Sequence, residues 1–357
     1  PREVLQLFSI GLHQLNQDGT AKVDGQGKPI PTYDQDAILG FAKAFSGWSV
    51  GTNPKTDQGF YNIPYPRNHP FWVTPMQGFP SKHSVATKML LNGVTLAAGQ
   101  TPEKDLKDAL DNIFNHPNVG PFIGKQLIQR LVTSNPAPGY VSRVAAKFND
   151  NGAGVRGDMK AVLKAILLDS DARDRNVALS GSFGKQREPI VRLANLVRAF
   201  KGRSATGEFS YWYTQIIDYG LGQQFFLSPS VFNFFAPDYS PQGPVANAML
   251  VAPEFQITTD SQLLGTSNTM YAQINWGYGF GENNPVNLNY AEFTPLAGDP
   301  PKLVDQLDLL LTGGMTSITT RNAIIGAVSA EPATNTTERV KKAAYLFAIS
   351  PDYAIQK

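Results

Sequence analysis

The chain has 357 residues, of which 42% are hydrophobic and 17% are charged, and its formal net charge is +2. This apolar content at low net charge excludes a disordered chain, and the balance of charges provides no global field that would steer it to nucleic acid. The absence of cysteine excludes disulfides, zinc–cysteine sites, iron–sulfur clusters and cysteine nucleophiles. No stretch approaches the ~18 consecutive apolar residues of a transmembrane helix.

The first hundred residues are predicted to form helices separated by hairpins and turns. A short first helix precedes two tight turns, at Asp18-Gly19 and at Asp24-Gly25, because Asp-Gly pairs favour turn conformations. The spacing Thr32-x-x-Gln35 predicts a capping box at the start of a second helix. Asn92-Gly93, between two strand-like runs, predicts a β-hairpin.

Residues 101–200 predict a helical bundle. Thr101-Pro102 favours a helix start, because threonine can cap free backbone N–H groups and proline fits the first turn. Apolar residues then recur every three or four positions, and Met159, Leu163 and Leu167 are among those expected to face inward. Further helices are predicted from Pro121 to about Thr133, after Pro138, from about Arg156 to Leu168 and from about Glu188 to Phe200.

Residues 201–300 are rich in aromatic residues, glycine, proline and amides, and predict a loop layer with one helix near 254–273. Residues 301–357 predict three further helices. The whole pattern predicts a mainly α-helical fold, organised as a single large helical domain over 1–357. It also predicts one or two short β-hairpins and long loops rich in aromatic residues, glycine and proline.

A series of motifs runs over almost the whole chain, and the longest is Asn115–Pro136, with the sequence NHPNVGPFIGKQLIQRLVTSNP. The other motifs are Arg2–Gly11, Phe45–Trp48, Gly154–Ala161, Arg187–Pro189, Ser228–Phe234 and Ser350–Tyr353. In this order they resemble the signatures of a bacterial family catalogued as domain of unknown function 1800.

This resemblance implies an exported bacterial protein, located in the periplasm, at the cell surface or outside the cell. It implies no established activity and no known catalytic residues. Members are often encoded beside a second exported protein, of domain of unknown function 1501, which is the expected partner. The family pattern normally begins upstream of Pro1, so we expect the chain to be the C-terminal part of a longer polypeptide.

Two histidines are candidates for chemistry. His116 is expected in a helix-to-helix turn, where its imidazole could act as an acid–base group or a metal ligand. Alternatively, it could cap the free carbonyl groups of the preceding helix. His83, just before the predicted hairpin, could converge with His116, but no histidine spacing in the chain is typical of a zinc hydrolase.

One predicted helix begins among four charged residues, Lys185, Arg187, Glu188 and Arg192. Glu188 and Arg192 are four residues apart and predict an ion pair on one helix face. The cluster could bind an anion, or it could form a buried ion network. Together with the two histidines, Arg187 and Glu188 would be the polar groups of a hydrolase pocket.

Asn16, Asp18, Thr20 and Asp24 place oxygen atoms at alternate positions, as calcium-binding loops do. Lys22 occupies the position of a further ligand and no terminal glutamate follows, so the alternative is a set of Asx-type turns. No cofactor is predicted, and these four residues are the weak candidates for a calcium site in a calcium-stabilised surface protein.

Aromatic side chains in loops can line a carbohydrate groove or a protein interface, because they bury large areas at low entropic cost. The predicted interface residues are Tyr211, Trp212, Tyr213, Phe232, Phe234, Trp276 and Tyr278. The alternative is that these rings pack over the helical core.

Two functions follow from these observations. The first is a non-catalytic interaction or assembly protein that works with a partner chain or as an oligomer, because catalytic spacings are absent while aromatic loops are abundant. The alternative is an extracytoplasmic hydrolase that acts on cell-surface or polymeric material. Neither a nucleic-acid partner nor a transmembrane segment is expected.

Overall fold

The structure, a computed structural model, describes residues 1–62, 73–209, 220–277 and 285–357. These residues form a mainly α-helical fold with short two-stranded antiparallel sheets, which confirms the predicted fold class. Within these ranges, none of the helices has the length and apolar content needed to cross a membrane.

The chain divides into two compact units. The first comprises Pro1–Leu127 and Ala137–Asp169, and the second comprises Ile128–Pro136 and Ser170–Lys357. The division separates helices that the sequence predicts as one bundle, because the last helix of that bundle lies in the second unit. It does not test whether the chain folds cooperatively, so the single-domain interpretation stays a prediction.

Short elements open the first unit and longer helices close it. Its helices are α1 (Arg2–Gln6), α2 (Gln35–Ala44), α3 (Asp57–Tyr61), α4 (Pro102–Phe114), α5 (Val119–Leu131, which ends in the second unit), α6 (Pro138–Asn149) and α7 (Met159–Leu167). Its strands are β1 (Trp48–Ser49) paired with β2 (Gln77–Gly78), and β3 (Lys88–Met89) paired with β4 (Thr95–Leu96). The β3–β4 hairpin turns at Asn92 and Gly93, as predicted, and both residues have left-handed backbone conformations that asparagine and glycine adopt readily.

The predicted capping box of α2 is wrong. Asp34 is the N-cap, and its Oδ1 accepts a hydrogen bond of 2.8 Å from the backbone N–H of Ala37. The hydroxyl of Thr32 instead donates to the carbonyl oxygen of Gly11. The aspartate two residues later is thus the side chain that satisfies the free N–H groups of the helix.

Helix α7 buries a narrower stripe than its sequence predicts. Val162 and Ile166 are fully buried, but Met159, Leu163 and Leu167 are exposed. Helix α7 is short and packs mainly against α6. A helix that packs against a single neighbour buries only the narrow face toward that neighbour, on which residues four positions apart lie.

The second unit contains most of the C-terminal helices. Its helices are α8 (Ser170–Arg173), α9 (Arg175–Ala178), α10 (Pro189–Ala199), α11 (Pro244–Asn247), α12 (Asp260–Trp276), α13 (Pro300–Thr312), α14 (Ile318–Ser329), α15 (Thr336–Ile349) and α16 (Pro351–Ala354). Strands β5 (Lys185–Gln186) and β6 (Ile355–Gln356) form an antiparallel pair. The three predicted C-terminal helices are therefore present.

A continuous apolar core joins α10, α12, α13, α14, α15 and α16. Leu196 and Phe200 anchor the α10 side of this core, and both are fully buried. Tyr353 of α16 donates its hydroxyl hydrogen to the carbonyl oxygen of Arg192, at 2.6 Å. Helix α10 is therefore held by both apolar packing and a buried hydrogen bond.

Candidate interaction site

An apolar stretch of the second unit is exposed to solvent between residues 225 and 232, and we call it the 225–232 segment. Phe225 is 72% exposed, Phe226 is fully exposed and Phe232 is 58% exposed. Leu227, between them, is also exposed. Large apolar side chains clustered in one exposed segment are typical of an interaction surface, whereas single exposed ones need no explanation.

The backbone of this segment is shaped by turns. The hydroxyl oxygen of Ser230 accepts a hydrogen bond from the N–H of Phe232, and its carbonyl oxygen accepts one from the N–H of Asn233. Phe226 has a φ of 60° and Asn233 has a φ of 71°. The left-handed conformation is uncommon for phenylalanine, and such strained residues cluster at functional sites.

A buried aromatic anchor follows the segment. Phe235 is 2% exposed, and the guanidinium carbon of Arg130 lies 4.4 Å from the centre of its ring, in a cation–π contact. Gln129 donates from Nε2 to the carbonyl oxygen of Pro237, at 3.2 Å. The chain is therefore fixed to the second unit immediately after the exposed rings.

Two cavities lie beside the segment, and Ile190 and Phe225 line both of them. The larger cavity has a volume of about 450 Å³ and a mostly apolar lining. Its other lining residues include Leu193, Ala194, Val197, Phe209, Arg198 and Lys201. This size and lining are those of pockets that bind apolar groups, with a few polar side chains to orient them.

The smaller cavity, of about 320 Å³, is lined in part by the polar side chains of Glu188, Gln223 and Gln224. Glu188 Oε2 accepts a hydrogen bond of 2.8 Å from Gln223 Nε2, and Gln223 Oε1 accepts one of 3.3 Å from the N–H of Ile190. Gln224 Oε1 is buried without a hydrogen-bond partner among the described residues. A ligand that offers an N–H or O–H donor would satisfy this oxygen.

The charged residues at the start of α10 point into the second unit. Arg187 donates from Nη1 to the carbonyl oxygen of Tyr353 at 2.9 Å, and Arg192 donates from Nη2 to the carbonyl oxygen of Ala348 at 2.8 Å. Burial lowers the pKa of both guanidinium groups below the ordinary arginine value. The predicted ion pair between Glu188 and Arg192 is wrong, because each side chain has another partner.

Lys185 completes this buried cluster. Its Nζ lies 2.8 Å from Glu254 Oε1, and both side chains are almost inaccessible to solvent. The guanidinium groups of Arg187 and Arg192 donate to backbone carbonyl oxygens, so all three positive side chains of the cluster bind groups within the protein. These contacts favour the buried ion network over the anion-binding site.

His83 is buried in the first unit, where each ring nitrogen has a partner. Nδ1 lies 2.9 Å from the carbonyl oxygen of Ser46, which can only accept, so Nδ1 carries a proton. Nε2 lies 2.6 Å from Asp105 Oδ2. The imidazole is therefore oriented by two contacts within the protein.

His116 is also buried, and its Nδ1 accepts a hydrogen bond of 3.1 Å from the backbone N–H of Asn118. The predicted capping of preceding carbonyl groups is wrong, because the ring bonds to the N–H that follows it. Burial lowers the pKa of this imidazole, and the positive charges of Lys22 and Arg156 lower it further. His116 is thus held in its neutral form.

The four residues predicted to line a hydrolase pocket all have contacts within the protein. The hydrogen bonds of His83 reach Ser46 and Asp105, and none of the described bonds joins it to His116. Arg187 and Glu188 belong to the second unit, while both histidines belong to the first. No described contact favours the hydrolase hypothesis, which stays a prediction.

The calcium candidates form Asx-type turns. Asp18 Oδ1 accepts hydrogen bonds from the backbone N–H and the hydroxyl of Thr20, and Asn16 Nδ2 donates to the same hydroxyl oxygen. The bonds from Thr20 lower the pKa of Asp18. Asp24 Oδ1 accepts from the N–H of Gln26 in a separate turn. Over the described ranges, no group of three or more acidic, histidine or cysteine side chains is arranged to hold a metal, and calcium binding stays a prediction.

The predicted interface rings differ in exposure. Phe232 and Trp276 are exposed, and Phe234 is half-buried. Phe225 and Phe226 are not among the predicted interface rings, since their only signal in the sequence is that two aromatic residues are adjacent in a loop. The remaining predicted rings lie outside the described residues: Tyr211, Trp212, Tyr213 and Tyr278.

The family profile described as "Protein of unknown function (DUF1800)" matches residues 1–355, almost the full chain. The chain belongs to the DUF1800 family. No curated protein and no solved structure matches it. Membership of DUF1800 confirms the resemblance drawn from the ordered motifs, and any activity must be argued from the site itself.

Proposed function

We propose that this DUF1800 protein is an exported, non-catalytic interaction protein that assembles with a partner chain through the 225–232 segment. The supporting observation is the exposure of Phe225, Phe226 and Phe232 beside the two cavities lined by Ile190. Aromatic residues are enriched at the cores of protein interfaces, and apolar clusters of this kind are uncommon on surfaces without a partner.

The energetics of the site suit protein binding. Burying one phenylalanine side chain contributes about 1.5–3 kcal/mol, so two or three rings suffice to anchor an interface. The apolar cavity accepts side chains of the partner, while Arg198, at its rim, is exposed and available to a carboxylate. The attachment of Phe235 to Arg130 limits the ordering entropy that binding would cost.

The expected partner is the exported protein of domain of unknown function 1501 that is often encoded beside members of this family. A second copy of the chain is the other candidate. Both would meet the protein in the periplasm, at the cell surface or outside the cell, the compartments to which we assign it.

The test is to produce the tagged protein together with the protein of domain of unknown function 1501 encoded beside it, and to measure the binding between the two. The double variant Phe226→Ala/Phe232→Ala is expected to weaken binding by about tenfold or more, since interface aromatic residues often contribute over 1.4 kcal/mol each. Leu309→Ala is the control, because Leu309 is an apolar residue of α13 that is 64% exposed outside the segment. Equal loss in both variants, or a wild-type chain that binds neither that protein nor itself, would contradict the proposal.

A further inference from the structure

Three ionisable side chains meet in the interior of the first unit. Lys88 belongs to β3, Asp105 to α4, and His83 follows the 3₁₀ helix Pro80–Lys82. Asp105 Oδ2 lies 2.6 Å from Lys88 Nζ and 2.6 Å from His83 Nε2. Lys88 and Asp105 have no solvent-exposed surface, so water does not separate or screen them.

The contact between Lys88 and Asp105 is not an ordinary hydrogen-bonded ion pair. Within the described part of the chain, no group meets hydrogen-bond geometry with Lys88 Nζ, although that nitrogen lies 2.6 Å from Asp105 Oδ2. Asp105 Oδ1 is likewise buried without a partner among the described residues. A buried ion pair is stabilising only when its remaining protons and lone pairs are hydrogen-bonded, and here they are not.

We propose that Lys88 and Asp105 are a modification site, where the two side chains condense into an intramolecular isopeptide bond in the folded protein. The geometry supplies the nucleophile and the carboxyl carbon in one desolvated place. Fixed proximity of reacting groups is worth effective molarities of about 10⁵–10⁸ M in intramolecular reactions. A desolvated lysine amine is a competent nucleophile in protein chemistry.

His83 is placed to transfer the protons. Because Nδ1 donates to the carbonyl oxygen of Ser46, the other ring nitrogen faces Asp105 Oδ2, and one proton is shared between Nε2 and Oδ2. In the reacting form Lys88 Nζ is an amine with two protons, and the carboxyl group of Asp105 holds the shared proton. This form of the three groups has no net charge, as a fully buried site favours.

The reaction balances without a further reactant. The lone pair of Lys88 Nζ attacks Cγ of Asp105, and a C–N bond forms. His83 Nε2 takes one proton from that nitrogen and delivers it to Oδ2, which already carries the other proton. The Cγ–Oδ2 bond breaks, the carbonyl is restored and one water molecule leaves. The product joins the β3–β4 hairpin to α4 by an amide cross-link, in a chain that has no cysteine to form a disulfide.

The decisive measurement is the mass of the intact, folded wild-type protein. We expect it to be lower than the sequence mass by one water molecule. Trypsin should not cleave after the acylated Lys88, and should release a branched peptide in which residues 83–104 are joined to residues 105–107. A folded protein with the full sequence mass, and with cleavage after Lys88, would overturn the proposal.

Variants separate the cross-link from a structural ion cluster. Lys88→Met should restore the full sequence mass. Asp105→Asn should still condense, with loss of ammonia, and give the same final mass as the wild-type product. His83→Gln should lower the cross-linked fraction at the time of purification. An Asp105→Asn variant that folds by circular dichroism but keeps its full sequence mass would count against the mechanism.

A second buried pair provides an internal control. Lys185 Nζ and Glu254 Oε1 lie 2.8 Å apart. The carboxylate oxygens of Glu254 have no partner with hydrogen-bond geometry among the described residues, as in the first pair. Lys185 differs from Lys88 in that it donates to a backbone carbonyl oxygen, that of Gln186. In the described structure no histidine contacts this pair. Peptide mapping should therefore find the cross-link in the first unit and unmodified Lys185 in the second, and the reverse result would refute the role given to His83.

Discussion

The two units bury their charged side chains in different ways. In the first unit the buried nitrogen of Lys88 lies against the side-chain carboxyl group of Asp105, where we propose the cross-link. The second unit also buries a lysine, Lys185 beside Glu254, but its buried guanidinium groups meet backbone carbonyls: Arg192 bonds to Ala348, and Arg339 donates to the carbonyls of Ala297 and Glu331. A planar guanidinium can therefore satisfy free carbonyls near helix ends without an opposite charge, whereas the side-chain nitrogen of Lys88 has only the carboxyl group of Asp105 beside it among the described residues.

The largest effect is expected where the partner of Lys88 is removed. Asp105→Ala abolishes the proposed cross-link and leaves an unpaired lysine in the interior, and it should lower the free energy of unfolding by about 3–5 kcal/mol, measured by urea denaturation. Asp111→Ala is the matched control on the same helix, since its pair with Lys107 is exposed and should contribute nothing measurable. Equal stabilities for the two variants would remove the distinction between the buried and exposed pairs.

A smaller effect is expected in the second unit. Arg339→Met leaves the carbonyl oxygens of Ala297 and Glu331 without their donor, and should cost about 1–3 kcal/mol of unfolding free energy in the same assay. Arg339→Lys keeps the charge but loses the fork of donors, so it should lie between wild type and Arg339→Met. If lysine fully replaces arginine, charge rather than donor geometry stabilises this site.

The smallest effect concerns His116, the neutral imidazole of the first unit. Its pKa is lowered in the folded protein, so the unfolded chain binds a proton more readily. Stability is therefore complete above the unfolded pKa of about 6.5 and is lost as pH falls below it towards the folded pKa.

The predicted loss of stability on acidification is tested by measuring the free energy of unfolding from about pH 7.5 to about pH 5, a range that spans the ordinary histidine pKa. His116→Gln should flatten the part of the pH dependence that falls on acidification, whereas His13→Gln, at an exposed position, should leave it in place. A wild-type protein that gains stability on acidification through the same range, with the gain lost in His116→Gln, would reverse the assignment.

Most helices could be predicted from the sequence because their signals are local. Thr101 caps α4 through its hydroxyl oxygen, and the helix predicted from about Glu188 to Phe200 is observed as α10, Pro189–Ala199. Capping residues and apolar spacing act within one or two turns, so neighbouring residues suffice to specify them. Two local predictions are wrong. Asp34 caps α2 in place of Thr32, and α7 buries fewer residues than its apolar content allows.

The candidate site was less predictable. The sequence indicated an aromatic layer and selected Phe232 and Trp276, which are exposed, but it contained no signal for the cavities lined by Ile190 and Phe225. It also treated His83 as a possible partner of His116, while the structure places it against Asp105. Pairing between distant residues depends on how helices pack, and periodicity within one helix does not encode it.

Short-range patterns and ordered motifs in the sequence suffice to establish that the chain is mainly helical, where most of its helices lie, and which family it belongs to. The folded chain is needed to know which ionisable side chains are buried, which residues they contact, and which aromatic rings remain exposed. This is because desolvation and pairing are properties of residues brought together from distant positions, such as Lys88 and Asp105, and not of the residues alone.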